Sequence, residues 1–342
     1  MAKKAQRAQL KKRKRRKRII LTIFIPLLLI IIAVGVYGAY LVKQAADAAA
    51  DSQTELNRGG KSEKRIDPVD PKHDNISILF MGIDDSNKRS MGDDTRTDAL
   101  ILATLNESQK SVKMVSIPRD SLVYDPIRGV EDKINHAHAY NGADGTIATV
   151  EELFDIPVDY MVRMNFEAFI DVVDALGGVQ VDVPVSFSEQ NSKDEKDAIH
   201  LEKGLQHLDG EQALALARTR KIDNDIERGK RQQLVLKAII EKAASFSSIT
   251  KYSDVITALG DNITTNLSFG EMISLHDYAT SGQKLQVDSL VLQGSDLWTD
   301  HGYYYQLDQN NVDEIKTTLR EHLDINELGE RNDASSTAKN KN

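Results

Sequence analysis

The stretch Ile76-Ser-Ile-Leu-Phe-Met-Gly82 decides the fold class. An apolar run of this length that ends at a glycine turn predicts a buried β-strand. Two further apolar runs follow, Asp98-Ala-Leu-Ile-Leu-Ala-Thr-Leu105 and Ser111-Val-Lys-Met-Val-Ser-Ile117. The connection between them, residues 106–110, is short enough for a hairpin. The first part of the chain therefore predicts neighbouring strands of one sheet.

Helical and extended patterns alternate over the rest of the chain. Helices are predicted over Gly145–Phe154, Phe166–Leu176, Glu211–Arg218, Ile226–Phe246 and Val312–Leu323. Further strands are predicted over Asp159–Met164, Val179–Val183 and Leu285–Leu292. Strands interleaved with helices predict an α/β domain, here a three-layer α-β-α sandwich with a central mixed sheet.

The N-terminal residues have the pattern of a membrane anchor. Residues 1–18 are rich in lysine and arginine and contain no acid, and Ile19–Val42 contains no charged residue. About 20 apolar residues suffice to span a bilayer as a helix, and basic flanks remain on the cytoplasmic side. Residues 1–18 are thus predicted as a basic cytoplasmic tail and 19–42 as a transmembrane signal-anchor helix. Two alternatives stay open: a cleaved signal peptide and a nucleic-acid-binding basic arm.

The remaining chain is predicted to lie outside the cell, attached to the membrane by a single span. We expect an extracellular linker over 43–74, a catalytic domain over 75–328 and a disordered tail over 329–342. The 342 residues carry a formal net charge of −8 and no cysteine. The lack of cysteine excludes thiolate catalysis, zinc–cysteine sites and disulfides.

A cluster of basic residues stands out in this acidic chain: Ala217-Arg-Thr-Arg-Lys-Ile-Asp-Asn-Asp-Ile-Glu-Arg-Gly-Lys-Arg-Gln-Gln233. Asp225, Arg228 and Gln232 are spaced three and then four residues apart, so they share one face of a helix. Guanidinium groups held close together need anions, and their planar forks suit phosphate oxygens. The pattern favours a phosphate-binding site, with a solvated helix face as the alternative.

Acidic and basic residues also gather at the ends of the predicted strands. These clusters are Asp84-Asp85, Asp93-Asp94-Thr-Arg-Thr-Asp98 and Arg119-Asp120. Ligands of open α/β sheets bind beyond strand ends, and Mg²⁺ takes one or two carboxylates plus substrate phosphates. Taken singly, each cluster has another explanation: Asp-Asp in a loop is usually a solvated turn, and Arg119-Asp120 is compatible with an exposed pair of little energetic consequence. Read together, they favour a magnesium-assisted phosphate site.

Two other groups of residues have less specific patterns. His136 and His138 are two residues apart, unlike helical zinc motifs, and are interpreted as loop histidines. Trp298 and Tyr303–Tyr305 are able to stack on sugar rings or to serve as core or surface anchors.

Seven motifs in order resemble the LytR–CpsA–Psr family of membrane-anchored envelope enzymes over roughly Asn75 to Phe246. They are Gly82–Asp84, Thr95–Ala99, Ser116–Asp120, Lys133–Ala137, Leu176–Val179, Leu208–Leu214 and the basic cluster 217–233. Residues 139–142, Ala-Tyr-Asn-Gly, depart slightly from the family's double-glycine pattern. The resemblance implies an α-β-α sandwich with a long apolar pocket for a polyprenyl chain.

The resemblance also implies a role for each candidate residue. The catalytic residues are Arg119, Arg220, Asp225 and Arg228. The substrate-binding residues are Arg96, Lys133, Arg218 and Gln232. The Mg²⁺ ligands are Asp84 and Asp98. Whether Asp225 is the general base or an anchor for the arginines stays open.

The implied reaction is a phosphotransfer. An anionic glycopolymer of the teichoic acid or capsule type moves from an undecaprenyl pyrophosphate carrier to a peptidoglycan hydroxyl, and undecaprenyl phosphate leaves. Mg²⁺ is the implied cofactor, and no nucleic acid takes part. The alternatives are a lipid-diphosphate hydrolase and a non-catalytic envelope regulator.

Overall fold

A computed structural model of the chain describes residues 37–83, 96–245, 255, 263–280 and 285–325. The strands are β1 (Ile76–Ile83), β2 (Thr97–Asn106), β3 (Ser111–Ser116), β4 (Leu122–Asp125), β5 (Val130–Lys133), β6 (Tyr160–Met164), β7 (Val179–Val183), β8 (Phe187–Glu189), β9 (Ile199–Leu201), β10 (Gly204–Leu208), β11 (Ile263–Thr265), β12 (Gln286–Val291), β13 (Gly294–Thr299) and β14 (Gly302–Leu307). The helices are α1 (37–52), α2 (Ile134–Phe154), α3 (Phe166–Ala175), α4 (Gly210–Arg218), α5 (Asp225–Ala244), α6 (Phe269–Thr280) and α7 (Gln309–His322).

The centre of the domain is a six-stranded sheet in the order β11-β6-β1-β2-β3-β12. Strand β1 pairs antiparallel with β2 and parallel with β6, while β3 pairs antiparallel with β2 and parallel with β12. The predicted strands around residues 76, 98 and 111 are therefore neighbours in one mixed sheet. The mixed α/β prediction is confirmed.

Helices cover both faces of this sheet, which explains why its central strands are apolar on both sides. Leu79 and Met81 of β1 pack in one cluster with side chains of α2 and α7. Ile78 and Phe80, which point to the opposite face, pack with side chains of α5 and α6. The domain is thus layered as helix, sheet and helix.

Helix α2 starts at Ile134 and not near Gly145 as the sequence predicts, so the two histidines lie in a helix and not in a loop. Non-helical backbone at Asn141 and Gly142, where Gly142 has a φ of 58°, interrupts the helix. An Asn-Gly pair is typical of a turn, so the sequence does not predict a helix over the residues that precede the pair. His138 of this first part is fully buried.

Four two-stranded sheets that the sequence analysis does not predict surround the core. They are β4–β5, β7–β10, β8–β9 and β13–β14. Apart from β7, their strands do not show a sustained apolar alternation, because much of each hairpin is exposed. Periodicity detects strands with a buried face, so it misses these.

Residues 43–74, which the sequence predicts to be a linker, pack against the domain. Ala45 and Ala49 of α1 are buried in a cluster with residues of β1, β6 and α6. The guanidinium of Arg65 donates to both carboxylate oxygens of Asp159, over 2.8 and 2.6 Å, and Arg65 is 8% exposed. Partners this distant in the sequence leave no local pattern, so the packing is invisible to sequence reasoning.

The predicted membrane span and the C-terminal tail fall largely outside the described residues. Residues 19–36 of the span and all of 329–342 lie outside them, and 37–42 belong to α1. None of the helices within the described ranges combines the length and apolar character needed to cross a membrane.

The buried pair of Arg65 and Asp159 predicts a large effect of one substitution. Replacing Arg65 by alanine leaves a buried carboxylate without its partner, which costs about 3–5 kcal/mol. We expect Arg65→Ala to lower the free energy of unfolding by this amount in urea titrations.

The matched control is Lys64→Ala. Lys64 pairs with Asp155 at 2.6 Å, but both side chains are substantially exposed, so its removal should cost about 1 kcal/mol or less. Equal effects of the two substitutions would show that 43–74 is not anchored by the buried pair.

His322 predicts how stability depends on pH. Burial, reinforced by the charge of Lys113, lowers the pKa of His322 to about 4, and its ring nitrogens hydrogen-bond to Thr104 and Ser111 at 2.8 Å. Below about pH 6.5 the unfolded histidine binds a proton that the folded one does not. The free energy of unfolding should therefore fall between about pH 6.5 and 4, by up to about 1.4 kcal/mol per pH unit.

Denaturant titrations of His322→Gln across this range measure the effect. The variant should lose this component of the pH dependence, whereas His73→Gln, at an exposed histidine, should keep it. A pH profile of His322→Gln that matches the unsubstituted chain would refute the assignment.

A candidate phosphate-binding site at the mouth of an apolar cavity

The basic cluster forms the turn between α4 and α5. Helix α4 ends at Arg218, and α5 begins at Asp225 behind Asn224, whose side chain accepts a hydrogen bond from the backbone N–H of Glu227. Arg231 is 3% exposed, pairs with Asp223 and donates to the backbone carbonyls of residues 216 and 219. Arg231 therefore holds the turn in shape and does not belong to a solvated helix face.

A close approach of α5 to the sheet positions its first turn. A Cβ atom on Gly229 would lie only 2.6 Å from the Oγ of Ser116, the last residue of β3. Glycine at this position lets the helix backbone rest on the strand end. Arg228 is thereby brought beside Arg119, which follows β3, and Asp98, which lies in β2.

These elements join three arginines and two aspartates in one cluster. The Nη1 of Arg119 lies 2.5 Å from Asp98 Oδ1, and the Nη2 of Arg220 lies 3.6 Å from the same oxygen. The Nη2 of Arg228 donates to Asp225 Oδ2 at 3.0 Å and to the backbone carbonyl of Asp98 at 3.1 Å. Three guanidinium groups face two carboxylates, so the cluster has an excess of positive charge.

Arg228 shows how unusual this environment is. Its side chain is 5% exposed, and burial lowers its pKa to about 10, with the charges of Arg220 and Arg119 acting in the same direction. Its Nε is buried and has no hydrogen-bond partner among the described residues. Buried donors are nearly always paired, so this Nε is placed to donate to an acceptor on a ligand.

The cluster stands at the polar end of a cavity of about 660 Å³. Asp98, Arg119, Arg220 and Arg228 line one part of its wall, and apolar side chains that include those of β1, β2, β6, α3, α5 and α6 line the remainder. The apolar wall includes Ile78, Phe80, Ile101, Ala103, Val162, Phe169, Leu236, Ile239, Ile240, Met272 and Leu275. A ligand that fills this cavity needs a charged head and a long apolar tail.

Two of the predicted substrate-binding residues also line the cavity. The guanidinium of Arg218 lies 5.2 Å from the centre of the Phe166 ring and donates to the carbonyl of Asn191 at 3.3 Å. The side-chain amide of Gln232 donates to the carbonyl of Ala217 at 3.4 Å. Gln232 and Arg228 thus share a wall of the cavity, as their helical spacing predicts.

Among the described residues, the predicted site residues Arg96, Lys133 and Asp225 do not line the cavity. Lys133 binds Asp120 through a 2.7 Å contact, and the Nε of Arg119 lies 3.4 Å from the same carboxylate. Arg96 is exposed just before β2, and Asp84 lies outside the described residues.

Sequence reasoning gave Asp120 no role, although it stands in the Arg119-Asp120 motif. Burial disfavours its charged form, but hydrogen bonds and charges from Lys133 and Arg119 outweigh this and lower its pKa. Asp120 therefore stays ionised and links Lys133 to the cluster. The signal for it was present in the motif; the apolar wall of the cavity comes from scattered elements and had no such signal.

Among the described residues, the donor set fits a Mg²⁺ ion that is shared with a phosphate ligand. The described residues contain no group of three or more His, Cys, Asp or Glu side chains able to hold a metal. Asp98 is the predicted metal ligand among them, and it lines the cavity. One or two carboxylates with substrate phosphate oxygens are a usual Mg²⁺ environment.

Curated relatives match nearly the whole chain. The chain is 44% identical over 298 residues to the polyisoprenyl-teichoic acid–peptidoglycan teichoic acid transferase TagT of Bacillus subtilis strain 168, covering 86% of this chain and 92% of TagT. It is 39% identical over 311 residues to TagV of the same strain, covering 89% and 78% of the two chains.

Solved structures agree with these matches. A structure described as TagT bound to LIIa-WTA superimposes with a TM-score of 0.68 at 44% identity, covering 79% of this chain and 99% of that one. A structure of YwtF (TagT) with bound octaprenyl pyrophosphate lipid gives 0.63 at 41% identity, with the same coverage. Residues 39–321 match the LytR_cpsA_psr family. On this match and these identities, the chain belongs to the LytR_cpsA_psr family.

Proposed function

We propose that this protein transfers a teichoic-acid-type glycopolymer from an undecaprenyl pyrophosphate carrier to a peptidoglycan hydroxyl. One observation carries the proposal: the arginine cluster, formed by Arg119, Arg220 and Arg228, and the apolar wall line the same cavity. A polyprenyl diphosphate has the matching shape, a charged head on a long apolar tail. The names of the relatives, teichoic acid transferases, support the same substrate class.

The reaction follows from the charges in the cluster. A muramic acid 6-hydroxyl attacks the phosphorus that carries the polymer, the bond from that phosphorus to the bridging oxygen breaks, and undecaprenyl phosphate leaves. Arg119, Arg220 and Arg228 stabilise the negative charge that develops on the leaving phosphate. The hydroxyl proton passes to a carboxylate of the cluster, for which Asp225 is a candidate.

A second role is proposed for Asp225, which is to anchor the arginines. Its carboxylate accepts a hydrogen bond from Arg228 at 3.0 Å and lies 3.9 Å from the Nε of Arg220. These contacts hold two guanidinium groups in place before the ligand arrives. We therefore propose that Asp225 anchors the arginines, whether or not it also accepts the proton.

Asp98, with Asp84, is proposed to hold Mg²⁺, which would supply further positive charge to the diphosphate when bound. In this structure Arg119 neutralises Asp98 at 2.5 Å. A diphosphate in the cavity offers Arg119 other oxygens, which leaves the carboxylate of Asp98 available to a hard cation.

The proposal also includes a single-pass membrane anchor near residues 19–42 with the domain outside the cell, because the carrier lipid resides in the membrane.

Reconstitution with purified lipid-linked polymer tests the proposed function. With peptidoglycan present, polymer should become covalently attached to it and undecaprenyl phosphate should be released. Arg119→Ala and Arg228→Ala should each lower the rate about 100- to 1,000-fold, because a preorganised charge on the transition state is lost.

The control variant is Lys230→Ala on the same helix, since Lys230 is exposed and pairs with Glu227; it should keep full activity. Release of polymer without peptidoglycan at an equal rate would identify a hydrolase instead. Full activity of both arginine variants, or no turnover by the unsubstituted chain, would refute the transferase proposal.

A second prediction concerns the metal. Chelation by EDTA should abolish transfer, and added Mg²⁺ should restore it. Asp98→Asn should raise the Mg²⁺ concentration for half-maximal rate at least about tenfold, because a neutral amide is a weaker ligand than a carboxylate. Asp182→Asn, at an exposed carboxylate on β7, is the matched control. Transfer that continues at full rate in EDTA would exclude the metal.

A further inference from the structure

The β13–β14 hairpin lies outside the central sheet, yet its base is joined to the arginine cluster. Tyr305 of β14 is buried, and its backbone N–H donates to the carbonyl of Asp120 at 2.8 Å. Tyr305 also forms an isolated bridge with Ser121. Because Asp120 directly follows Arg119, the hairpin is fixed within one residue of the site.

One face of this hairpin carries two adjacent aromatic rings and an acid. Trp298 pairs across the strands with Tyr303, and the ring centres are 5.2 Å apart. The hydroxyl of Tyr303 donates to Asp296 at 2.9 Å. Alternate residues share a face of a strand, so Asp296, Trp298 and Tyr303 form one surface, called here the aromatic face.

A cationic side chain connects the aromatic face with the cluster. The Nζ of Lys133 lies 5.8 Å from the centre of the Tyr303 ring and 5.6 Å from that of Tyr304. The same Nζ binds Asp120 at 2.7 Å. A ligand on the aromatic face is therefore close to Lys133, and through Asp120 to Arg119.

Exposure of the aromatic face to water is energetically unfavourable. Trp298 is 74% exposed, and burying a large apolar side chain against a ligand is favourable. Aromatic rings carry partial negative charge on their faces, which attracts the C–H bonds of a pyranose ring. Asp296 beside the rings offers an acceptor for sugar hydroxyls. These features fit a saccharide.

A membrane surface fits the aromatic face less well. Residues 294–308 contain Asp296, Asp300 and Asp308 and no lysine or arginine. Anionic lipid headgroups attract basic segments and repel acidic ones. A glycan strand carries at most one carboxylate per disaccharide among many uncharged groups, so it meets less of this repulsion than an anionic lipid surface does.

We infer that the aromatic face binds a saccharide of the acceptor peptidoglycan strand and thereby presents its hydroxyl to the arginine cluster. The inference rests on the proposed function for the identity of the glycan. It adds a subsite for the acceptor, on the hairpin, to the cavity that holds the donor.

Trp298 is itself the probe for this site, because it is the single tryptophan of the chain. Soluble glycan fragments of alternating N-acetylglucosamine and N-acetylmuramic acid should change its fluorescence emission in a saturable manner. Tyr303→Ala should weaken this binding at least about fivefold, because loss of a stacking ring costs about 1 kcal/mol or more. Leu205→Ala, at an exposed apolar residue of β10, should not change it.

Steady-state transfer kinetics test the role of the subsite. Trp298→Ala should raise the KM for the acceptor about tenfold while kcat and the affinity for prenyl diphosphate stay unchanged, and Trp298→Phe should restore most of the loss. An acceptor KM that Trp298→Ala leaves unchanged would overturn the inference, and so would a fluorescence that does not respond to glycan. So would an emission change with phosphatidylglycerol vesicles but not with glycan.

The two proposals fail separately. If the chain binds glycan through Trp298 but transfers no polymer, the subsite stands and the transferase proposal fails. If transfer occurs with an acceptor KM independent of Trp298, the transferase proposal stands and the subsite fails.

Discussion

The burial of the Arg228 guanidinium beside two other arginines is the interaction on which the site depends. Burial and like charges both disfavour a cation here, and Asp225 and Asp98 compensate for only part of this repulsion. Packing fixes the position of the cluster. Arg231 donates to the carbonyl of residue 219 in the turn, and Gly229 lets α5 approach the end of β3 closely. What remains is a preorganised excess of positive charge that costs no reorganisation when a diphosphate arrives.

Helix α5 joins the two halves of the cavity. Its first turn carries Asp225 and Arg228, and its later turns contribute Leu236, Ile239 and Ile240 to the apolar wall. A single helix that lies across the sheet thus contributes to both the charged end and the apolar wall of the cavity. The apolar wall is completed by the sheet face that points toward α5 and α6, which leaves the opposite face, under α2 and α7, to supply the close-packed core.

Two segments outside the central sheet surround the site. The buried ion pair of Arg65 and Asp159 holds residues 43–74 against the domain. The β13–β14 hairpin attaches through the backbone of Asp120 and Ser121. Both attachments use contacts between residues far apart in the chain, and both leave the cavity mouth bordered by the arginines.

The sequence by itself determined five of the six central strands, most helices and the family, because apolar periodicity and ordered motifs are local properties; it did not predict β11. The motifs at strand ends also predicted that Arg119, Arg220, Arg228 and Asp98 gather at one site. Only the tertiary structure decided what is non-local: the pairing of Arg65 with Asp159, the helical state of the two histidines, the small hairpins and the apolar wall of the cavity. It also decided which charges are buried. Spacing on a helix places Arg228 and Arg231 equally well in water, and only packing against β3 and the α4–α5 turn removes them from it.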